Sequence, residues 1–181
     1  MFLGLVPSSL NLIEMALTNE KIKQRLTEKF GEGFFQFEES YGMLSFESPK
    51  DQNLRVLQFL FDDEELNFKF LTDLCAVNYP DMAGRELAVV YHLHNLTENV
   101  RIRFKVFTAV AEPDVFTACK LFAAANWMER ETFDFYGVNF VGHPNLKRIL
   151  NVDEMDYFPM RKEYPLEDQT RVDKDDEMFG R

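Results

Sequence analysis

Histidine, cysteine and carboxylate are the side chains that could carry acid–base, nucleophilic or metal chemistry, and few of them stand at telling intervals in this chain. His92 and His94 alternate within an apolar run, so on a strand they share a face, a spacing that can ligate a metal. No acid or cysteine lies at a complementary interval, and a polar pair near a hairpin edge is the simpler reading. His143, directly before Pro144, can titrate near neutral pH beside a carboxylate or can anchor a turn, and the anchor is preferred. The densest set is Trp127-Met128-Glu129-Arg130-Glu131-Thr132-Phe133-Asp134-Phe135-Tyr136-Gly137. On a helix Arg130 and Asp134 are four apart and can pair, with Glu131 on the same flank. Glu129 and Glu131 would point about 200° apart and so cannot serve one reacting bond as an acid–base couple. The expected role of the set is structural, a buried ion-pair network fixing the helix against an arm and a partner. Cys75 and Cys119 each lie in an apolar segment, outside any C-x-x-C pair or Cys/His run, so no disulfide framework or zinc module is encoded. The glycine-rich nucleotide loops, G-x-S-x-G and H-E-x-x-H are all missing.

What must position these residues is a chain of 181 residues, 46% hydrophobic and 28% charged, the size and composition of one globular domain with room for an arm. Twenty basic against 31 acidic residues leave a net charge of −11, which disfavours a grip on nucleic acid or anionic lipid. The apolar residues are not pooled into a membrane-spanning run. Met1 to Leu17 has no basic leader and carries Asn11 and Glu14, so it does not read as a signal peptide, and a reducing cytoplasm is expected. Nineteen phenylalanines are more than a chain this size readily buries alone, which points to a partner.

Ile22, Leu26 and Phe30 recur at four-residue spacing, predicting a helix over 19–30 capped by Thr18 or Asn19 and ended by Gly31. Strands are expected at 34–37 and 43–46, then a helix opened by Ser48 as N-cap with Pro49 at its first position and Leu54, Leu57 and Phe61 inward. Residues 68–77 alternate as a strand with Phe68, Phe70, Thr72, Leu74 and Ala76 on one side. Leu87, Val89, Tyr91 and Leu93, then Val100, Ile102, Phe104 and Val106, predict a hairpin turning at 95–99. Its second strand presents Arg101, Arg103 and Lys105 outward, either as a solvated face or as a docking stripe for an acidic partner. A helical stretch is expected from Pro113 to Tyr136, stopped by Gly137. From Val141 the texture changes to prolines and interleaved charges among Tyr, Phe, Met and Leu, which suits an arm laid over a second surface. The fold class is therefore α+β: a domain over residues 1–140 with a mixed or antiparallel sheet covered by helices, followed by an extended C-terminal arm over 141–181.

Three stretches carry a resemblance: Glu129-Arg130-Glu131 with Asp134 and Gly137, then Gly142-His143-Pro144-Asn145-Leu146-Lys147-Arg148-Ile149-Leu150, then Arg161-Lys162-Glu163-Tyr164-Pro165. With the 71–80 strand and the 91–103 hairpin, they make residues 34–166 resemble the 30 kDa subunit of respiratory complex I, in bacteria the C subunit of the NADH:quinone oxidoreductase. That resemblance implies a scaffold subunit holding no catalytic centre, cofactor or metal of its own. The complex carries the FMN, iron–sulfur clusters and quinone and performs NADH oxidation coupled to proton translocation. It implies docking on the 49 kDa subunit, with neighbouring iron–sulfur subunits behind it, at the cytoplasmic face of the inner membrane without a span. Carried over residue by residue, Glu129, Arg130, Glu131, Asp134, His143, Pro144, Arg148, Arg161, Lys162 and Tyr164 become assembly residues, with Arg148 and Arg161 suited to forked pairing with partner carboxylates. Where many members repeat Gly-His-Pro-Leu, this chain reads Tyr157-Phe158-Pro159-Met160. The alternatives are the equivalent subunit of a membrane-bound nickel–iron hydrogenase or formate hydrogenlyase, and, more remotely, a freestanding metalloenzyme built on His92, His94 and His143.

Overall fold

The computed structural model describes residues 17–164. Helix α1, Asn19–Phe30, is capped by the Thr18 hydroxyl, which accepts from the Lys21 amide, and ends at Gly31 with φ +98°; Ile22 and Leu26 are buried as their spacing predicts. A hairpin of β1, Gln36–Ser40, and β2, Met43–Ser48, follows, two residues later than expected at its start. Pro49 then precedes a single 3₁₀ turn, Lys50–Gln52, and helix α2, Asn53–Asp62, starts beyond it, so Ser48 caps nothing and its hydroxyl donates to the Pro49 carbonyl. Strands β3, Phe70–Asn78, β4, Leu87–Asn95, and β5, Val100–Thr108, complete a five-stranded sheet of order β1-β2-β5-β4-β3. All pairs are antiparallel except β2 with β5, so the sheet is mixed, as the α+β reading allowed.

The hairpin β4–β5 has the register its period-two pattern dictates: Tyr91 faces Phe104, Val89 faces Val106 and Leu93 faces Ile102, all buried. Strand β3 corrects its predicted phase. A bulge between Leu71 and Asp73 inserts one residue, so Leu71 opposes Leu93 and Leu74 opposes Tyr91, while Phe70 and Thr72 turn outward. Core residues of α1 and α2, among them Ile22, Leu26, Val56, Leu57 and Leu60, join the inner sheet face in one hydrophobic cluster. Many phenylalanines are absorbed there by one another: Phe30 touches Phe34, Phe35 and Phe59, Phe35 leads to Phe46, and Phe46 to Phe104, with ring centroids 5.2–5.7 Å apart. The outer basic stripe is partly satisfied within the chain, since Arg103 Nε donates to His92 Nε2 at 3.0 Å and Lys105 pairs with Glu38 at 3.7 Å.

The helix expected over 113–136 is overturned in its first half. Asp114–Phe116 forms β6, which pairs in parallel with β7, Asn139–Val141, and the buried Asn53 amide anchors it by donating to the Phe116 carbonyl at 2.7 Å. Turns follow, with the Leu121 and Phe122 amides donating to Ala118, and helix α3 spans only Ala125–Tyr136, packed against β3. Among the described residues no helix is long and apolar enough to cross a membrane. The segment to residue 16 and the arm beyond Tyr164, Pro165 included, lie outside the described residues.

Asn95 closes the central hairpin: its buried side chain donates to the Leu66 carbonyl and accepts from the Thr97 and Glu98 amides. Asn95→Ala should therefore cost about 1–3 kcal/mol, the penalty of stranding buried polar groups, read as a lower midpoint in urea unfolding with the slope unchanged.

Candidate functional site

Helix α3 presents Asp134 to the segment that follows β7, and this contact organises the region. One carboxylate oxygen accepts from three successive amides, Ile149 at 3.0 Å, Leu150 at 2.8 Å and Asn151 at 2.9 Å. The other accepts from Arg148 Nη1 at 2.7 Å and Asn151 Nδ2 at 3.0 Å. Asp134 is fully buried, and burial alone would oppose its charge; the Asn151 and Leu150 amides and the Arg148 guanidinium outweigh that, holding the carboxyl far below its ordinary range.

Arg148 is spent inside the chain. Besides Asp134 it donates to the Asp134, Met155 and Tyr157 carbonyls, so the fork expected to meet a partner carboxylate closes on the chain's own aspartate. Arg130 does not pair with Asp134 either. Its guanidinium donates to the Lys147 and Arg148 carbonyls and lies 5.1 Å from the Trp127 ring, because the amides of 149–151 already saturate the aspartate. Arg161 behaves like Arg148: it donates to the Tyr136 carbonyl at 2.8 Å, lies 3.6 Å from Glu163 and stacks over Phe158 at 4.6 Å. The 142–164 part of the expected arm thus lies on its own chain, with the Met160 amide donating to the Phe135 carbonyl of α3 and the Lys162 amide to the Asn78 side-chain oxygen at the end of β3.

Gly137 is required by this wrap. It caps α3 with φ +74°, and a Cβ there would fall 2.5 Å from Phe158 and 2.6 Å from Arg161. Phe158, standing in the repeated Gly-His-Pro-Leu position, fills the gap between Gly137 and the two arginines.

The remaining predicted residues divide. Glu129 faces inward and is fully buried; its carboxylate accepts from the Thr117 hydroxyl at 2.5 Å, the Ala118 amide at 2.7 Å and the Cys119 thiol at 3.4 Å. Burial raises its pKa against these donors. Glu131, Pro144, Lys162 and Tyr164 are exposed, the Tyr164 ring 5.0 Å from Tyr157. His143 is the turn anchor expected: one ring nitrogen meets the Asn126 carbonyl at 3.0 Å and the other accepts from the Asn145 amide. The three histidines of the metalloenzyme reading are not gathered, since His92 is taken by Arg103 and His94 by Asn99. Instead His143 comes together with Glu129 and Cys119, their ligating atoms all within 4.8 Å of one another. Cys119 escapes sequence reasoning, because separations of 10 and 14 residues match no local ligand spacing.

Several apolar side chains of α3 and the strap face solvent. Trp127, Leu150 and Val152 are each 63% exposed, and Met160 and Tyr157 also face solvent. An α+β domain with residues 142–164 strapped to helix α3, and with large apolar side chains left in solvent there, has the form of an assembly subunit. The family described as the respiratory-chain NADH dehydrogenase 30 Kd subunit matches residues 46–170. The C subunit of the NADH-quinone oxidoreductase of Nocardioides sp. is 43% identical over 125 residues, 69% of this chain and 50% of the relative. Its counterpart in Methylorubrum populi is 39% identical over 155 residues, 84% of this chain and 70% of the relative. The chain matches 50% to 70% of the length of these two relatives. Among solved structures, a trypsin-resistant fragment (1–134) of Nqo5 superposes with a TM-score of 0.60 at 28% identity, covering 69% of this chain and 98% of that one. A chain of an archaeal membrane-bound sulfane sulfur reductase shares the fold, with a TM-score of 0.68 at 24% identity over 81% of this chain and 85% of that one. This chain belongs to the 30 kDa subunit family of the respiratory-chain NADH dehydrogenase.

Asp134→Asn should cost about 3–5 kcal/mol, the loss expected when a buried pair is broken from one side. Because the carboxyl titrates below its unfolded value of about 3.9, its stabilisation is present above that pH and fades as pH falls toward the lower folded pKa. Thermal melts of the two proteins should accordingly differ widely at pH 7 and converge in acid. Gly137→Ala should cost at least about 1–2 kcal/mol from the left-handed backbone alone, and the displaced strap should become trypsin-sensitive at Arg161 and Lys162.

Proposed function

We propose that this chain is a cofactor-free scaffold subunit in the peripheral arm of a proton-translocating NADH:quinone oxidoreductase, held at the cytoplasmic face of the membrane. Residues 1–140 form the domain, and residues 141–181 serve partner binding. It docks on the 49 kDa-type subunit near the quinone-reducing region, with iron–sulfur subunits adjoining; FMN, clusters and quinone belong to the rest of the assembly. Family membership and the names of the relatives support this reading. The observation that carries it is the strap itself. Asp134 and Arg148 order a segment with little core of its own and leave the apolar side chains of Trp127, Leu150, Val152 and Met160 outward, an exposure from which a monomer gains nothing.

In this reading the ten assembly residues divide their work. Asp134, Arg148, Arg161, His143 and Arg130 act by shaping the strap, whereas Glu131 on α3 and Pro144, Lys162 and Tyr164 on the strap are exposed. Glu129 braces α3 from beneath.

The test is affinity purification of the tagged chain from mildly solubilised membranes. Recovery of the 49 kDa homologue with the flavin and cluster subunits supports the proposal, and recovery with a nickel–iron large subunit moves the chain to the hydrogenase lineage. The double variant Leu150→Ser, Val152→Ser should keep its melting temperature, because both side chains are mostly in solvent, yet be retained about tenfold or more less well. Undiminished retention would sink the assignment of this face.

A further inference from the structure

We propose that Cys119, Glu129 and His143 form a binding site for a borderline-soft divalent metal ion such as Zn²⁺. The three ligands come from separate elements, the turn after β6, helix α3 and the turn after β7, and their ligating atoms lie within 4.8 Å of one another. Cys119 Sγ and Glu129 Oε2 are 3.4 Å apart. With metal–sulfur and metal–oxygen bonds of about 2.3 and 2.1 Å at a tetrahedral angle, the two atoms would be about 3.6 Å apart, so that edge is already built. A thiolate, an imidazole and a carboxylate select zinc-like ions over magnesium or calcium, which take oxygen ligands.

The surroundings of Glu129 point the same way independently. It is a fully buried carboxyl whose hydrogen-bond partners are a hydroxyl, an amide and a thiol, and among the described residues no basic side chain donates to it. Buried acids are ordinarily paired or metal-bound, and here the basic neighbour on the helix, Arg130, is turned away to the 147 and 148 carbonyls. The Ala118 amide and Thr117 hydroxyl hold the carboxylate in place, as outer partners do at metal sites. Cys119 and His143 are half-buried, so the site can be reached from solvent. Both nitrogens of His143 now have backbone partners, Asn126 and Asn145, and the metal takes the place of one of those bonds. Loaded, the site would tie β6, α3 and β7 together where the strap begins.

The 181-residue chain, stripped with chelator, is titrated with Co²⁺ and then challenged with Zn²⁺. We expect one equivalent of Co²⁺ with a sulfur-to-cobalt charge-transfer band, displaced by Zn²⁺, and a Zn²⁺-dependent rise in melting temperature. Both signals should vanish in Cys119→Ser, a near-isosteric change, and Zn²⁺ binding should weaken about tenfold or more in His143→Ala and Glu129→Gln. Cys75→Ser and His92→Ala should bind as the parent does. Absence of the band in the parent chain, its survival in Cys119→Ser, or its loss in Cys75→Ser would each overturn the proposal.

Discussion

A single carboxylate decides the path of residues 142–164. Residues 142–164 contain no regular secondary structure, so their backbone groups have no ladder to satisfy them and their ordering entropy must be met by specific contacts. Asp134 supplies the strongest of these. It accepts three consecutive amides, and the Arg148 guanidinium that neutralises it reaches on to the 155 and 157 carbonyls, so one buried pair fixes the strap at both ends of a loop. Without the aspartate, Arg148 would be a largely buried cation with no counter-charge, facing carbonyls and the Phe158 ring, and the amides of 149–151 would be orphaned.

The rest of the region follows from that choice. Once the strap runs along α3, Phe158 comes down on the helix end, and only a residue without Cβ fits at position 137. Arg161 then closes over Phe158 and takes the Tyr136 carbonyl, one of the acceptors a helix end leaves free. Helix α3 is thus used on two sides: Asp134 outward to the strap, Glu129 inward to the turn after β6. This arrangement accounts for a helix that carries charge on flanks which are nevertheless buried.

The parts legible in the sequence were those governed by local periodicity. Helix α1, with its Thr18 cap and Gly31 stop, and the β4–β5 hairpin follow from spacing alone, because each buries one face against the same core. The phase of β3 was hidden by one inserted residue at its bulge. The alanine-rich approach to α3 reads as helix, but Asn53, more than sixty residues upstream, captures the Phe116 carbonyl and β7 pairs alongside, a non-local outcome that propensity does not contain. Likewise the identities of Asp134, Arg148 and Arg161 stood in the motifs, whereas their bonds did not. The i,i+4 partner Arg130 looked sufficient for Asp134, yet a row of amides and a better-placed arginine won it. The Cys119, Glu129 and His143 cluster is visible only after folding.

Site-resolved hydrogen exchange of the intact chain at neutral pH tests the central claim most directly. If the Asp134 carboxylate holds the strap, the amides of Ile149, Leu150 and Asn151 exchange slowly, with protection close to that of the β4–β5 core, despite lying in a loop without secondary structure. Exchange of those three amides at the rate of a solvated loop, while β4 and β5 remain protected, would contradict the account.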